Sequence, residues 1–151
     1  MDILQVLVNG LLLGALYACI AVGFSLVWGV LNVINMLHGS FIVLGGYLAF
    51  FAWRDFGLHP LVSLVGIAAL LFALGWALQY GLINYVVTRP VLTTLTLTFG
   101  LDMIVYNFMT LAFTATPRRV ALDLGVLYVL GGVVPVDRMV ALLLALALSA
   151  L

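Results

Sequence analysis

The sequence contains no lysine and no glutamate; its charges are five arginines and five aspartates, 7% of 151 residues. An ordinary soluble domain carries roughly 25%, and a soluble fold of this length could not cover its surface with so few charged side chains. Net charge is zero and no basic cluster stands out, so nothing is present to neutralise phosphates and nucleic-acid binding has no electrostatic support. The single cysteine, Cys19, cannot form an intrachain disulfide and lies in an apolar run, where it reads as a small packing residue. Catalytic groups are equally scarce. Neither G-x-S-x-G nor H-E-x-x-H occurs, and His38 and Ser40 stand at a spacing that does not bring side chains together on a helix. No Cys/His metal spacing and no glycine-rich phosphate loop is present. The expectation is a protein that is not an enzyme, binds no ATP and holds no cofactor of its own.

What the chain does have is hydrophobic length. Hydrophobic residues make up 67% of it, and uncharged runs cover Ile3–Trp53, Phe56–Thr88, Met103–Pro117 and Met139–Leu151. A run of about 18 or more such residues reads as a membrane span. Asp2 stands where a signal peptide would be positive, and the following run far exceeds an h-region of about 7–15 residues. The first segment is therefore read as a retained span.

The spacing predicts an all-α, multi-spanning transmembrane helical bundle with about four complete spans and the start of a fifth. The first runs from Ile3 to Leu31, about 43 Å at 1.5 Å per residue, longer than a hydrocarbon core of about 30 Å. Gly10, Gly14, Ala18, Ser25 and Gly29 recur along it at near-helical spacing, and small residues of this kind, with Gly45 in the next span, let helix backbones approach closely. A second span covers Asn35 to Trp53 and ends at "RDFGLHP", which supplies charge and turn chemistry together. A third covers Pro60 to Val87. Pro90 then suits the first turn of a fourth, Val91 to Ala115. The piece "LGVLYVLGGVVPV" is too short to cross as a helix, and its valines and tyrosine suit a short strand pair on the membrane surface near 124–136. Met139 opens a fifth span that is still apolar at Leu151. Residues 1–151 read as a single transmembrane domain, incomplete at its C-terminal end.

Two polar groups of residues interrupt this background. If the helix continued through Asn32, then Asn32, Asn35 and Gly39 would share one face, with His38 at its margin. Such groups are costly at membrane depth unless they face protein or a wet cavity. The asparagines either satisfy the backbone at a bend between the first two spans or line a path for substrate or water. In the fourth span Thr94, Thr98, Asp102, Tyr106, Thr110 and Thr114 form a row that drifts by about 40° per step. Threonine hydroxyls often bond within their own helix. Asp102 carries more weight as an intramembrane carboxylate, either functional or paired with Asn107 or an arginine of another helix.

The segment "GLLLGALYACIAVGFSLVWGVLNVINMLHGSFIVLGGY", Gly10 to Tyr47, and "LTFGLDMIVYNFMTLAFTATPRRV", Leu97 to Val120, resemble a known family: the LivH-type permease subunits of bacterial ABC uptake systems for branched-chain amino acids. Ile34-Asn35, His38-Gly39, Leu44-Gly45 and Tyr47 carry the first match. A glycine-leucine helix followed by an asparagine and a "P-R" exit carries the second. The resemblance covers essentially the whole chain and implies that Asn35 to Tyr47 lies beside a translocation path. Asp102 departs from the small or hydroxyl residue of the family pattern, so no role is carried over to it. The family's Arg/Gly/Ala-rich coupling segment lies beyond the helix that begins near Met139, so the chain is expected to be the N-terminal half of such a permease.

The implied partners are a second homologous permease subunit, cytoplasmic ATP-binding subunits and a periplasmic solute-binding protein, in the bacterial inner membrane. A pathway for a zwitterion needs polar lining that releases its cargo, and Asn32, Asn35, His38, Gly39, Thr94, Thr98, Asp102 and Asn107 are the candidates for it. Leucine, a short amide and urea are not separated by these residues. The competing reading is a stand-alone channel or ion-coupled transporter using Asp102 and His38 as a relay; a scaffold without transport is a third. Counting arginines by the positive-inside rule places the loop at 117–138 in the cytoplasm, whereas the resemblance implies that it is periplasmic.

Overall fold

The computed structural model describes residues 3–149 except 115, 117, 119, 121–124, 130 and 131, and side chains at all of these except 4, 126–129, 132–135, 137, 148 and 149. Arg119, Asp123 and most of the 117–124 loop, with Gly131 and the final residues of the fifth span, lie outside the described residues. The chain divides into two compact units, Val27–Val120 and a second made of Met1–Leu26 with Ala121–Leu151.

The second of these holds most of helix α1 (Ile3–Leu31), the strands β1 (Val126–Val129) and β2 (Gly132–Pro135), and helix α5 (Val136–Ser149). The strand pair expected near 124–136 is present. Its strands are antiparallel, with Val126 opposite Pro135 and Val129 opposite Gly132. Val136 donates its N–H to the Gly125 carbonyl at 3.2 Å, tying the hairpin to the start of α5, which begins earlier than the Met139 expected. Arg138 reaches Asn9 Oδ1 at 3.2 Å, linking α5 to α1.

In the unit Val27–Val120, helices α2 (Leu37–Phe56), α3 (Pro60–Gly81) and α4 (Val91–Phe113) follow the end of α1, and α2 packs against both α3 and α4. Its buried centre is small: Val33 in the break before α2, Leu37 and Leu44 on α2, Ile83 after α3, Met109 on α4, and the hydroxyls Ser40, Ser63, Thr94 and Thr98. Large apolar side chains such as Val65, Phe72 and Leu111 stand exposed, as expected of helices whose outer surface is covered by lipid rather than water.

The segment from Asn32 to Asn35 is not helical, which corrects the expectation of one helical face through Asn32, Asn35 and Gly39. Asn32 has φ 53°, the left-handed conformation that asparagine tolerates better than most residues, and its N–H still closes α1 on the Trp28 carbonyl at 2.8 Å. The third span also ends early, at Gly81, and gives way to a 3-10 turn over Ile83–Tyr85. Gln79 Nε2 bonds Asn84 Oδ1 across that break at 2.9 Å, and Pro90 disfavours helix in the residue before it. Pro90 itself stands just outside α4, as its N-cap.

On length and apolarity three helical stretches qualify as membrane spans, Gln5–Leu31, Pro60–Tyr85 and Val91–Phe113, against the four expected. Helix α2 is long enough, at 20 residues, but His38, Ser40, Arg54 and Asp55 make it the least apolar of the four long helices. Its end is built as the turn chemistry predicted. Gly57 takes φ 62° and its N–H and that of Leu58 bond the Trp53 and Ala52 carbonyls, a left-handed helix cap. His59 Nδ1 then accepts from Leu61 N at 3.3 Å, with Pro60 in the first turn of α3. Gly57→Ala should lower stability by about 1 kcal/mol, since an L side chain is disfavoured at this φ; thermal unfolding in detergent measures it, and an unchanged Tm would mean that the turn relaxes without cost.

The expected glycine packing is only partly present. A Cβ at Gly45 would stand 3.2 Å from Leu71 Cδ1, so α2 and α3 do approach closely there. At Gly10, Gly14 and Gly29 a Cβ would meet nothing within 4 Å, and Ala18 is exposed.

Candidate functional site

The break between α1 and α2 leaves backbone groups without helical partners, and polar side chains satisfy them. Asn35 Oδ1 accepts from Leu37 N at 3.1 Å and its carbonyl accepts from His38 N at 3.3 Å, so this asparagine forms a turn immediately before α2, whose N-cap is Met36. Thr98 on α4 donates its hydroxyl to the Ile34 carbonyl at 2.8 Å, shared with the Leu95 carbonyl of its own helix at 3.2 Å. Asn35 thus satisfies the backbone where the two spans meet.

One turn further along α2, Ser40 Oγ donates to Asp102 Oδ1. The serine is buried and the aspartate half-buried. This is the partner of the intramembrane carboxylate, in place of the asparagine or arginine expected: Asn107 is exposed and turns back to its own helix, donating to the Met103 carbonyl at 2.7 Å. Ser40, Thr98 and Asp102 thus lie on a polar seam where the break before α2 and the start of α2 meet α4. Thr94 is as buried as Thr98, at 1% exposure, but bonds the Val91 carbonyl within its own helix at 2.8 Å.

The remaining candidates fall elsewhere. His38 lines an apolar groove of about 420 Å³ between α2 and α3, with Phe41, Gly45 and Leu71. Ser40, two residues on, bonds Asp102 of α4, whereas His38 lines the groove towards α3. Asn32 and Gly39 are exposed. Further along the threonine row, Thr110 is exposed and bonds the Tyr106 carbonyl on its own helix at 2.9 Å.

Sequence reasoning did not select Ser40, Tyr47 or Arg118. Tyr47 donates its hydroxyl to the Thr114 carbonyl at 3.1 Å and stacks on Phe113 with centroids 5.1 Å apart. Arg118 donates to the Phe113 carbonyl at 2.7 Å. The signal for Ser40 and Tyr47 was their helical spacing of seven on the face of α2 that meets α4, a face that only the fold identifies.

Long apolar helices that turn their few polar groups towards one another define an integral membrane protein. Residues 6–151 match the family model described as "Branched-chain amino acid transport system / permease component", and the chain belongs to that family. It is 30% identical over 127 residues to the high-affinity branched-chain amino acid transport system permease protein LivH of Escherichia coli (strain K12), covering 79% of this chain and 41% of that protein. LivH of Salmonella typhimurium is 29% identical over the same shares. BraD of Pseudomonas aeruginosa, likewise a high-affinity branched-chain amino acid transport system permease protein, is 49% identical over 49 residues, 32% of this chain and 16% of that protein. The chain thus spans about two-fifths of the length of the LivH relatives it matches. No solved structure matches it.

Proposed function

We propose that the chain provides membrane-spanning helices of an ATP-driven importer that moves branched-chain or similar small amino acids across the bacterial inner membrane. The observation that carries this reading is the match to the permease family over residues 6–151. The polar seam of Ser40, Thr98 and Asp102 supports it, because the hydroxyls and the single carboxylate offer a zwitterion weak, reversible contacts along a helix interface. Residues 1–151 act as part of one permease domain, which pairs with a second homologous permease subunit. ATP hydrolysis belongs to separate cytoplasmic subunits, and a periplasmic binding protein supplies specificity.

The test is uptake of radiolabelled leucine into proteoliposomes holding the chain with its ATP-binding subunits and solute-binding protein. Uptake should require both ATP and the binding protein. Uptake driven by a pH gradient with neither present would overturn the importer reading.

A further inference from the structure

Beyond the seam, at the other end of the contact between α2 and α4, a cavity of about 290 Å³ is lined by Val43, Gly46, Tyr47 and Arg118. Arg118 is held firmly at its edge. Its Nη2 donates to the Phe113 carbonyl at 2.7 Å, and its guanidinium lies over the rings of Phe50 and Phe51, 5.3 and 5.0 Å from their centroids. Its charge acts on Asp55 from a distance, without a salt bridge between the two among the described residues. Asp55, on the same helix as those rings, is taken by Arg54, with contacts of 2.6 and 3.1 Å between the two side chains. Arg118 makes no ion pair among the described residues, and its Nε is buried without an acceptor. Arg118 nevertheless brings a guanidinium to the lining of the cavity, and a carboxylate is the partner that a guanidinium matches best.

Tyr47 provides the complementary chemistry. Its proton is committed to the Thr114 carbonyl, so its oxygen presents lone pairs and acts as an acceptor. The committed carbonyl belongs to a residue at φ 63°, ψ 158°, a conformation that costs a β-branched side chain strain and that clusters at ligand sites. Strain, the tyrosine bond and the arginine bond all converge on the end of α4. The cavity therefore has a donor for an anion, an acceptor for an ammonium group and an apolar wall at Val43, in a volume at the lower end of the roughly 300–1,000 Å³ of small-molecule pockets.

We infer that this cavity is a binding station for the transported amino acid, with Arg118 taking its carboxylate and the Tyr47 oxygen accepting from its ammonium group. The inference rests on the importer reading and names the residues that would hold its cargo. Ser40 lies seven residues from Tyr47, about 10 Å along α2, too far for one small zwitterion to touch both, so the Asp102 seam is a separate station.

The test is direct binding of radiolabelled leucine to the chain in lipid nanodiscs, without ATP, in competition with two relatives of leucine. Leucinol lacks the carboxylate, and 4-methyl-2-oxopentanoate lacks the ammonium group. Arg118→Gln should weaken leucine about tenfold or more, the scale of one lost charge-assisted contact, while leaving leucinol unchanged; Arg118→Lys should fall between. Tyr47→Phe keeps the stack on Phe113 and should weaken leucine while sparing 4-methyl-2-oxopentanoate. Equal losses for leucine and leucinol in Arg118→Gln, or no loss at all, would overturn the station. Leucine import with unchanged KM in Arg118→Gln would also overturn it and leave the importer reading standing. Arg118-dependent leucine binding by a chain that imports nothing with its partners would support the station and overturn the importer reading.

Discussion

Replacing Asp102 by leucine should reduce leucine uptake by an order of magnitude or more, whereas Asp102→Asn should retain most of it and keep its dependence on ATP. The difference follows from the contact with Ser40. Asparagine keeps a carbonyl oxygen where Oδ1 stands and can still accept from the serine hydroxyl; leucine cannot. With leucine, a buried hydroxyl on α2 loses its acceptor, at a cost of about 1–3 kcal/mol, and each 1.4 kcal/mol is about tenfold in an equilibrium constant. Ser40→Ala in the leucine background separates the two causes. If the orphaned serine is responsible, removing it should restore part of the helix contact and of the uptake. Complete loss in Asp102→Asn, together with leucine uptake by the parent chain that follows a pH gradient, would instead make the carboxylate a proton carrier and return the ion-coupled reading to first place.

Most of the architecture was legible because hydrophobic length and turn chemistry act locally. The span from Ile3 to Leu31 is a matter of composition alone. The cap at Gly57, with Pro60 following, is dictated by a short run of residues, each limited in φ. The hairpin near 126–135 was legible for a similar reason: the segment is too short to cross and rich in β-branched side chains. The break at Asn32 was not, since a single asparagine in an apolar run fits a helix and a left-handed cap about equally well by pattern. That one residue undid the shared face of Asn32, Asn35 and Gly39.

The contacts of the seam lay outside what a sequence can express. Thr98 meets the Ile34 carbonyl 64 residues away, and Asp102 meets Ser40 at a separation of 62. Periodicity showed that Thr94, Thr98 and Asp102 share a face, without naming what that face touches. Arg118 was read as a charge for orientation, because nothing local says that its guanidinium turns back over two phenylalanines of α2. Exposed apolar faces compound this. In a lipid environment they carry no penalty, so hydrophobicity ceases to tell inside from outside and the few polar side chains mark the packed faces instead.

Thr94 and Thr98 allow that last point to be measured. Both are 1% exposed, one turn apart on α4, and both hydroxyls are bonded to carbonyls, so burial and composition give them equal weight. Their partners differ. Thr94 bonds Val91, whose carbonyl also lies within the bonding pattern of the helix, so valine at 94 removes a supplementary bond and should cost less than about 1 kcal/mol. Thr98 is the donor to the Ile34 carbonyl in the non-helical break, where the bond joins two separate elements. Valine at 98 keeps the shape, removes the bond to a half-buried carbonyl and frees the break to move against α4, so Thr98→Val should cost about 1–3 kcal/mol. Thermal unfolding of the two variants in the same detergent gives the comparison, and leucine uptake should fall with Thr98→Val while Thr94→Val stays close to the parent. Equal destabilisation by the two would mean that packing, rather than the bond across to Ile34, fixes α4 against the start of α2.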